Sequence, residues 1–142
     1  MITLTKAPPQ MPEGDYLASC LWHETAIFAT TPKVYIWFQI VDGKFTGTQL
    51  YAAYRVTKIK GKSKKGGAFE LRHSSALYRE LVMLFGPSKR PDRVSLRKLR
   101  NCVLRISVRT VTKDYRQKKL PEVLQYSVVD AMKAIEAGPI KQ

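Results

Sequence analysis

Acidic residues are scarce in this chain, with 11 Asp and Glu against 25 Lys and Arg. The basic region has no paired carboxylates of the kind that a metal-dependent nuclease needs. Only two histidines are present, and Cys20-x-x-His23 with His73 and Cys102 lacks the second close-spaced pair of a zinc site. The glycines of KGKSKKGG (60–67) do not fit a phosphate-binding loop. We therefore expect that this chain is not an enzyme and that it binds no metal and no cofactor.

Long apolar runs are also missing. No segment approaches the roughly 18–20 apolar residues of a membrane span, and the first residues, MITLTKAPPQMPEG, lack the apolar stretch of a signal peptide. The two cysteines, Cys20 and Cys102, lie in separate apolar runs, which favours buried free thiols in a reducing compartment. We expect no membrane partner and a cytoplasmic protein, or a nuclear one if the cell has a nucleus.

The positive charge is concentrated in one part of the chain. The formal net charge is +14, and residues 55–119 hold 20 of the 25 basic residues against four acids, a net charge of +16. A generally soluble surface would mix both signs. Such segregation, with a pI near 10.0, favours a polyanionic partner and predicts nucleic-acid binding.

The length of 142 residues fits one domain. We expect an extended N-terminal arm over 1–13, a single domain over 14–137 and a short tail over 138–142. The run DYLASCLWHETAIF predicts the first strand, and KVYIWFQIVD predicts the second by its strict alternation. Asp42-Gly43 and Gly47 predict a turn, so that TQLYAAYRVTKI returns as an antiparallel partner.

One helix follows the third strand, after a basic glycine-rich loop that we expect to be too polar and flexible to pack. Ser74 or Ser75 caps this predicted helix and Gly86-Pro87 ends it. NCVLRISVRTVTKDY and LQYSVV predict two further strands, and VVDAMKAIEAG predicts a short C-terminal helix. The fold class is therefore mainly β: a five-stranded OB-type barrel with one helix between strands 3 and 4.

Aromatic residues on the second and third predicted strands indicate a binding face. Tyr35 and Trp37 lie on the side opposite Val34, Ile36 and Phe38, about 6–7 Å apart along the strand. Base–aromatic stacking tolerates any sequence. Contact with a partner protein, or packing in a second apolar face, remains open for these rings.

The predicted nucleic-acid-binding set adds two tyrosines and the cations of four segments. These residues are placed on the third strand, in the basic loop, on the fourth strand and in the loop that follows it. The full set is Tyr35, Trp37, Tyr51, Arg55, Lys58, Lys60, Lys62, Lys64, Lys65, Arg105, Arg109, Tyr115, Arg116, Lys118 and Lys119.

Three stretches carry a family resemblance: Gly14-x-Tyr16 with VYIWFQI and the hairpin glycines, LRKLRNCVLRISVRTV, and LQYSVVDAM. Together they resemble small OB-fold single-stranded DNA-binding proteins of the phage and mobile-element accessory type, over approximately residues 14–130. The resemblance implies non-catalytic binding of exposed single strands during replication or recombination, with Trp37, Tyr35 and Tyr51 stacking on bases.

The expected function is therefore largely sequence-independent binding of single-stranded DNA. An RNA-binding OB protein is one alternative. Another is an accessory, protein-interaction subunit of a polymerase, primase or helicase complex, and a replication or recombination protein remains an open partner in either case. The sequence leaves oligomeric state open.

Overall fold

A computed structural model describes residues 9–87, 96–114 and 116–137 of the chain. Five long strands form one antiparallel sheet in the order β3-β2-β1-β6-β7, and two short strands, β4 and β5, pair with each other. The elements are β1 (Gly14–Phe28), β2 (Thr31–Ile40), β3 (Gln49–Arg55), β4 (Lys58–Lys60), β5 (Ala68–Glu70), α1 (Ala76–Phe85), β6 (Val103–Val111) and β7 (Tyr126–Ala137).

The core lies on one face of the long sheet, as the alternation of the sequence predicts. On β2 every second residue from Val34 to Ile40 is fully buried, and on β6 the buried residues run from Leu104 to Val108. Alternation places the intervening residues on the opposite face, which we call the outer face. Cys20 and Cys102 are buried free thiols, as expected.

A two-residue turn fixes the register of β1 against β2. Ala29 (φ 49°) and Thr30 (φ 66°) both have positive φ, as in the type I′ turns that suit the twist of a hairpin. Phe28 therefore pairs with Thr31, and the pairing continues along both strands. A register shift between Cys20 and Trp22 then changes which side chains face outward.

The helix has the predicted caps. The Ser75 hydroxyl accepts a hydrogen bond from the Tyr78 backbone N–H (3.2 Å), and Gly86 follows the last residue with φ 85°. Leu77 on its inner side is fully buried. Between the third and fourth long strands, α1 lies where the sequence predicted the helix.

The two edge strands of the sheet, β3 and β7, approach each other. In the described residues no backbone ladder joins them, so the sheet is not closed into a barrel. A side chain from α1 spans the gap instead. One Glu80 oxygen accepts hydrogen bonds from the Tyr54 hydroxyl on β3 and the Met132 backbone N–H on β7, both 2.7 Å. The helix thereby ties together the two open edges.

The predicted C-terminal helix is wrong, because residues 126–137 form β7. Three register shifts against β6 each add one residue to β7, and the inward residues Val129, Met132 and Ile135 consequently recur every three residues. That interval imitates a helical period. The added residues at 130, 133 and 136 are all charged and lie outside the regular pairing.

The described part of the predicted arm packs against the start of β7. The Ser127 N–H donates to the Pro9 carbonyl (2.8 Å), and Gln10 donates to the Gln125 carbonyl (2.7 Å). Residues 1–8 and the predicted tail lie outside the described residues. In the part of the chain that is described, no helix has the length and apolar character needed to cross a membrane.

Candidate nucleic-acid interface

Three of the rows of side chains that run across the outer face of β1, β2 and β3 carry charged and aromatic residues. The cross-strand pairing defines each row, because opposite residues of an antiparallel pair point to the same face. From one end to the other the rows are Ala26–Lys33–Arg55, Glu24–Tyr35–Ala53 and Trp22–Trp37–Tyr51. We call the third the aromatic row. The face thus combines a cationic pair, a carboxylate and four aromatic rings.

The rings of the aromatic row contact one another in sequence. Trp22 and Trp37 are stacked with centroids 5.7 Å apart and planes inclined by 23°, and Tyr51 meets Trp37 edge-on at 5.2 Å. Atoms in contact lie about 3.5–4.0 Å apart, so a centroid separation of 5.7 Å means that the two indoles are offset. Part of each indole face is therefore left uncovered by the other.

The Tyr35 ring belongs to this face but is covered by its neighbours. Only 7% of its surface is exposed, and its ring meets Tyr51 edge-on at 5.3 Å. Burial first, then the neighbouring Tyr126 and Glu24, raises the pKa of its phenol. Tyr35 therefore supports Tyr51 and offers little free ring surface of its own.

Tyr51 also connects the face to the opposite edge of the sheet. Its side chain lies beside Tyr126 at the start of β7. Burial is the largest cause that raises the pKa of the Tyr51 phenol, Tyr126 raises it further, and nearby Arg109 on β6 acts in the opposite direction. This side-chain contact is a second link, beside Glu80, between β3 and β7.

The basic loop between β4 and β5 packs on β1, contrary to the expectation of a flexible loop. The Thr25 N–H donates to the Lys64 carbonyl (3.0 Å), the Lys64 N–H donates to the Thr25 hydroxyl (3.1 Å), and the Gly66 N–H donates to the His23 carbonyl (2.7 Å). Gly67 permits this approach, since a Cβ there would lie 2.4 Å from Thr25 Oγ1. Backbone hydrogen bonds to the unpaired edge of β1 fix the loop despite its polar sequence.

His23 is held inside this contact. Its Nε2 lies 3.0 Å from the Gly67 carbonyl, its ring meets Phe69 edge-on, and its buried Nδ1 has no hydrogen-bond partner in the described residues. Burial lowers the pKa of His23, the hydrogen bond to Gly67 opposes this, and the charge of Arg100 lowers it further. The imidazole is therefore kept neutral and donates from Nε2.

Loop docking brings one predicted cation onto the aromatic row. The backbone of Lys65 forms an isolated antiparallel bridge with Glu24 along the free side of β1. The Lys65 Nζ lies over the Trp22 ring, 4.7 Å from the centroid. The loop and β2 flank opposite sides of β1, so Lys65 and Trp37 approach Trp22 from opposite sides. Glu24 accepts a hydrogen bond from the Trp37 indole N–H (3.0 Å).

The other predicted cations of residues 55–65 are exposed or form an ion pair. Lys60 lies 3.9 Å from Glu70 in an ion pair across β4 and β5. Lys58, Lys62 and Lys64 are exposed, and Arg55 is exposed beside Lys33 on the outer face. Of the predicted cations of residues 55–65, the described contacts bring Lys65 onto the aromatic row.

Each of the two arginines of β6 forms an ion pair with an acid of β7. They share one face, as predicted, but Arg105 Nε lies 2.6 Å from Glu136 and Arg109 Nε lies 3.0 Å from Asp130. Both partners are added residues of β7, whose acids the sequence analysis did not pair with these strands. Arg105 and Arg109 are thus partly neutralised in this structure.

The loop between β6 and β7 forms a tight turn. The Asp114 carboxylate accepts the backbone N–H groups of Arg116 (2.8 Å) and Lys118 (3.0 Å). Arg116, Lys118 and Lys119 are exposed, while the predicted Tyr115 lies outside the described residues. The described contacts do not join this turn to the aromatic row.

Sequence reasoning missed Trp22, Glu24, Lys33 and Tyr126 as members of the face. A strict alternation from Cys20 puts Trp22 inward, and the extra residue at Leu21 reverses this. Counting back from a two-residue Ala29-Thr30 turn would have paired Trp22 with Trp37.

In the described residues no group of three His, Cys, Asp or Glu side chains could hold a metal ion. No protein-family model, curated protein or solved structure matches this chain. The function must therefore be argued from the face itself.

Proposed function

We propose that this chain binds single-stranded DNA in the cytoplasm, non-catalytically and largely independently of sequence, in support of replication or recombination. The observation that carries the proposal is the aromatic row with Lys65 over its outermost ring. Every base has a π-face, so stacking on Trp22 or Trp37 would not depend on sequence. A cation on the same ring would reach the phosphate beside a stacked base.

Binding would begin at Trp22. A base that stacks on the side of Trp22 away from Trp37 takes the position of the Lys65 ammonium. That ammonium then moves to the adjoining phosphate, which exchanges a cation–π contact for a charge-assisted hydrogen bond. Lys33 and Arg55 form the next cationic pair on the face, at its other end. The strand would thus run across β1, β2 and β3.

The finer architecture that we propose is an OB-type barrel whose last seam is closed by side chains. In support, β3 and β7 approach each other, and Glu80 and the Tyr51–Tyr126 contact join them. OB-folds bind oligonucleotides on the face of their second and third strands. The aromatic row lies partly on those strands, as the resemblance to small OB-fold DNA-binding proteins implies.

A protein-docking subunit is the second candidate. Val123 is 82% exposed and its neighbour Leu124 is 59% exposed, an apolar pair that nucleic-acid binding does not use. Under this alternative the pair contacts a polymerase, primase or helicase component while the basic surface holds DNA nearby. Replacing Val123 and Leu124 with serine would abolish co-purification of that partner and leave DNA affinity unchanged.

The test of the proposal is a salt series with single-stranded DNA, RNA of equal length and blunt duplex, measured side by side through tryptophan fluorescence. We expect quenching by single strands and a logarithm of affinity that falls linearly with the logarithm of salt concentration, by about 0.7 per phosphate contact. Lys65→Ala should make that slope shallower by about 0.7, the value for one phosphate contact. Equal or tighter binding to duplex would overturn the stacking mechanism, and tighter binding to RNA would favour the RNA alternative.

A further inference from the structure

Glu24 is an acid on the surface proposed to bind a polyanion. It stands on the outer face of β1, between Tyr35 on β2 and Lys65 in the basic loop. Phosphates would be repelled there, so a carboxylate at this position needs another reason. Its neighbour Lys65 forms no ion pair with it among the described contacts, and the Lys65 ammonium lies over the Trp22 ring.

One carboxylate oxygen is used and the other is available. Glu24 Oε1 accepts the Trp37 indole N–H at 3.0 Å, and within the described ranges Oε2 has neither a hydrogen bond nor an ion pair. Ionised carboxylates only accept hydrogen bonds, and the two oxygens together offer about four lone-pair sites. Oε2 is therefore an acceptor that is not used by the described residues, beside the aromatic row.

Two residues along a strand span about 6–7 Å, so Glu24 lies within a base's width of Trp22 on the same face. Single-stranded bases expose their Watson–Crick edges, and proteins recognise them there. Guanine presents two adjacent donors on that edge, its N1–H and its 2-amino group. Thymine presents one donor, N3–H, between two carbonyl oxygens that a carboxylate repels.

We propose that Glu24 gives this surface a preference for guanine at a base that stacks on the uncovered part of the Trp37 indole, beside the carboxylate that accepts its N–H. The inference rests on the proposed function, of which it is a refinement. Stacking on the aromatic row provides affinity for any base, and Glu24 adds selectivity at one position. The indole hydrogen bond holds the carboxylate in place, so little side-chain freedom is lost when a base binds.

The experiment compares a thymine oligonucleotide with versions that carry isolated guanines, adenines or inosines in the same places. Inosine keeps N1–H and lacks the 2-amino group. A good bidentate contact discriminates by roughly five- to 150-fold. Because one oxygen of Glu24 is already engaged, we expect about fivefold tighter binding of the guanine version than of thymine alone, with inosine intermediate and adenine near thymine.

Glu24→Gln is the decisive variant. Its amide oxygen still accepts the Trp37 N–H, while its amide nitrogen turns the unused acceptor into a donor. The guanine preference should disappear, so that the guanine and thymine oligonucleotides bind this variant with similar affinity. A role confined to orienting Trp37 predicts the same base ranking in both proteins, and that result would overturn the inference.

The remaining outcomes are distinguishable. Binding of all oligonucleotides with equal affinity by the wild-type protein overturns the guanine preference and leaves single-strand binding intact. Binding of none of them overturns the proposed function itself. Glu24→Ala, which removes the acceptor without adding a donor, should also lose the preference, so the conclusion does not depend on one variant.

Discussion

Replacing Glu80 with alanine tests how the two open edges of the sheet are held together. The variant deprives the Tyr54 hydroxyl and the Met132 N–H of their acceptor, and both residues are buried. A buried donor without a partner costs about 1–3 kcal/mol. The two together should lower the free energy of unfolding by about 2–6 kcal/mol, a large share of the roughly 5–15 kcal/mol of a typical domain.

Urea denaturation followed by tryptophan fluorescence measures this loss. Arg79→Ala, on the exposed side of the same helix, is the matched control and should cost less than about 0.5 kcal/mol. Glu80→Gln keeps an acceptor oxygen in the same place and should lose far less than the alanine variant. Equal stabilities for the glutamine and alanine variants would refute the role assigned to this carboxylate.

The stability difference between wild type and Glu80→Gln should also depend on pH. Burial is the largest cause that raises the pKa of Glu80. The folded protein therefore holds this proton more tightly than the unfolded chain does. The contribution of Glu80 is fully present below its unfolded pKa and is lost as pH rises through the folded value. Glu80→Gln should remove this component, so its stability relative to wild type should increase as pH rises above about 4.5.

Three further predictions concern the docked loop and the buried thiols. Gly67→Ala should release the loop, because its Cβ would lie 2.4 Å from Thr25 Oγ1, and trypsin should then cut within residues 60–65 faster than in wild type. The pKa of His23 is lowered in the folded state, so its contribution to stability is present above the unfolded pKa and is lost as pH falls through the folded pKa. Urea denaturation between about pH 7 and 5 should therefore show a steeper loss of the free energy of unfolding for wild type than for His23→Gln. Burial raises the pKa of Cys20 to about 12 and also raises that of Cys102, so a thiol reagent near pH 8 should label the native protein slowly and the unfolded protein quickly, whereas rapid native labelling would contradict their burial.

The sequence was sufficient to predict an element wherever a simple hydrophobic period or a cap matched the structure. Alternation along Val34, Ile36 and Phe38 predicts the inner face of β2, and a serine cap with Gly86 predicts both ends of α1. These features depend on local geometry alone. The mainly β class and the single helix after the third long strand follow from them.

The features that sequence reasoning missed depend on irregular pairing. Added residues in β7 give Val129, Met132 and Ile135 the spacing of a helix, and only pairing with β6 reveals the strand. One extra residue at Leu21 turns Trp22 outward. The polar basic loop gains its order from the free edge of β1, which a composition argument does not include.

The most direct test of the central claim compares Trp22→Phe with Trp22→Leu. Both replacements are apolar and of similar size, and only phenylalanine offers a ring on which a base can stack. Stacking contributes about 1–3 kcal/mol per base, so the leucine variant should bind a thymine oligonucleotide at least about fivefold more weakly than the phenylalanine variant at the same salt concentration. Equal affinities, with both proteins folded as judged by urea denaturation, would contradict base stacking on the aromatic row.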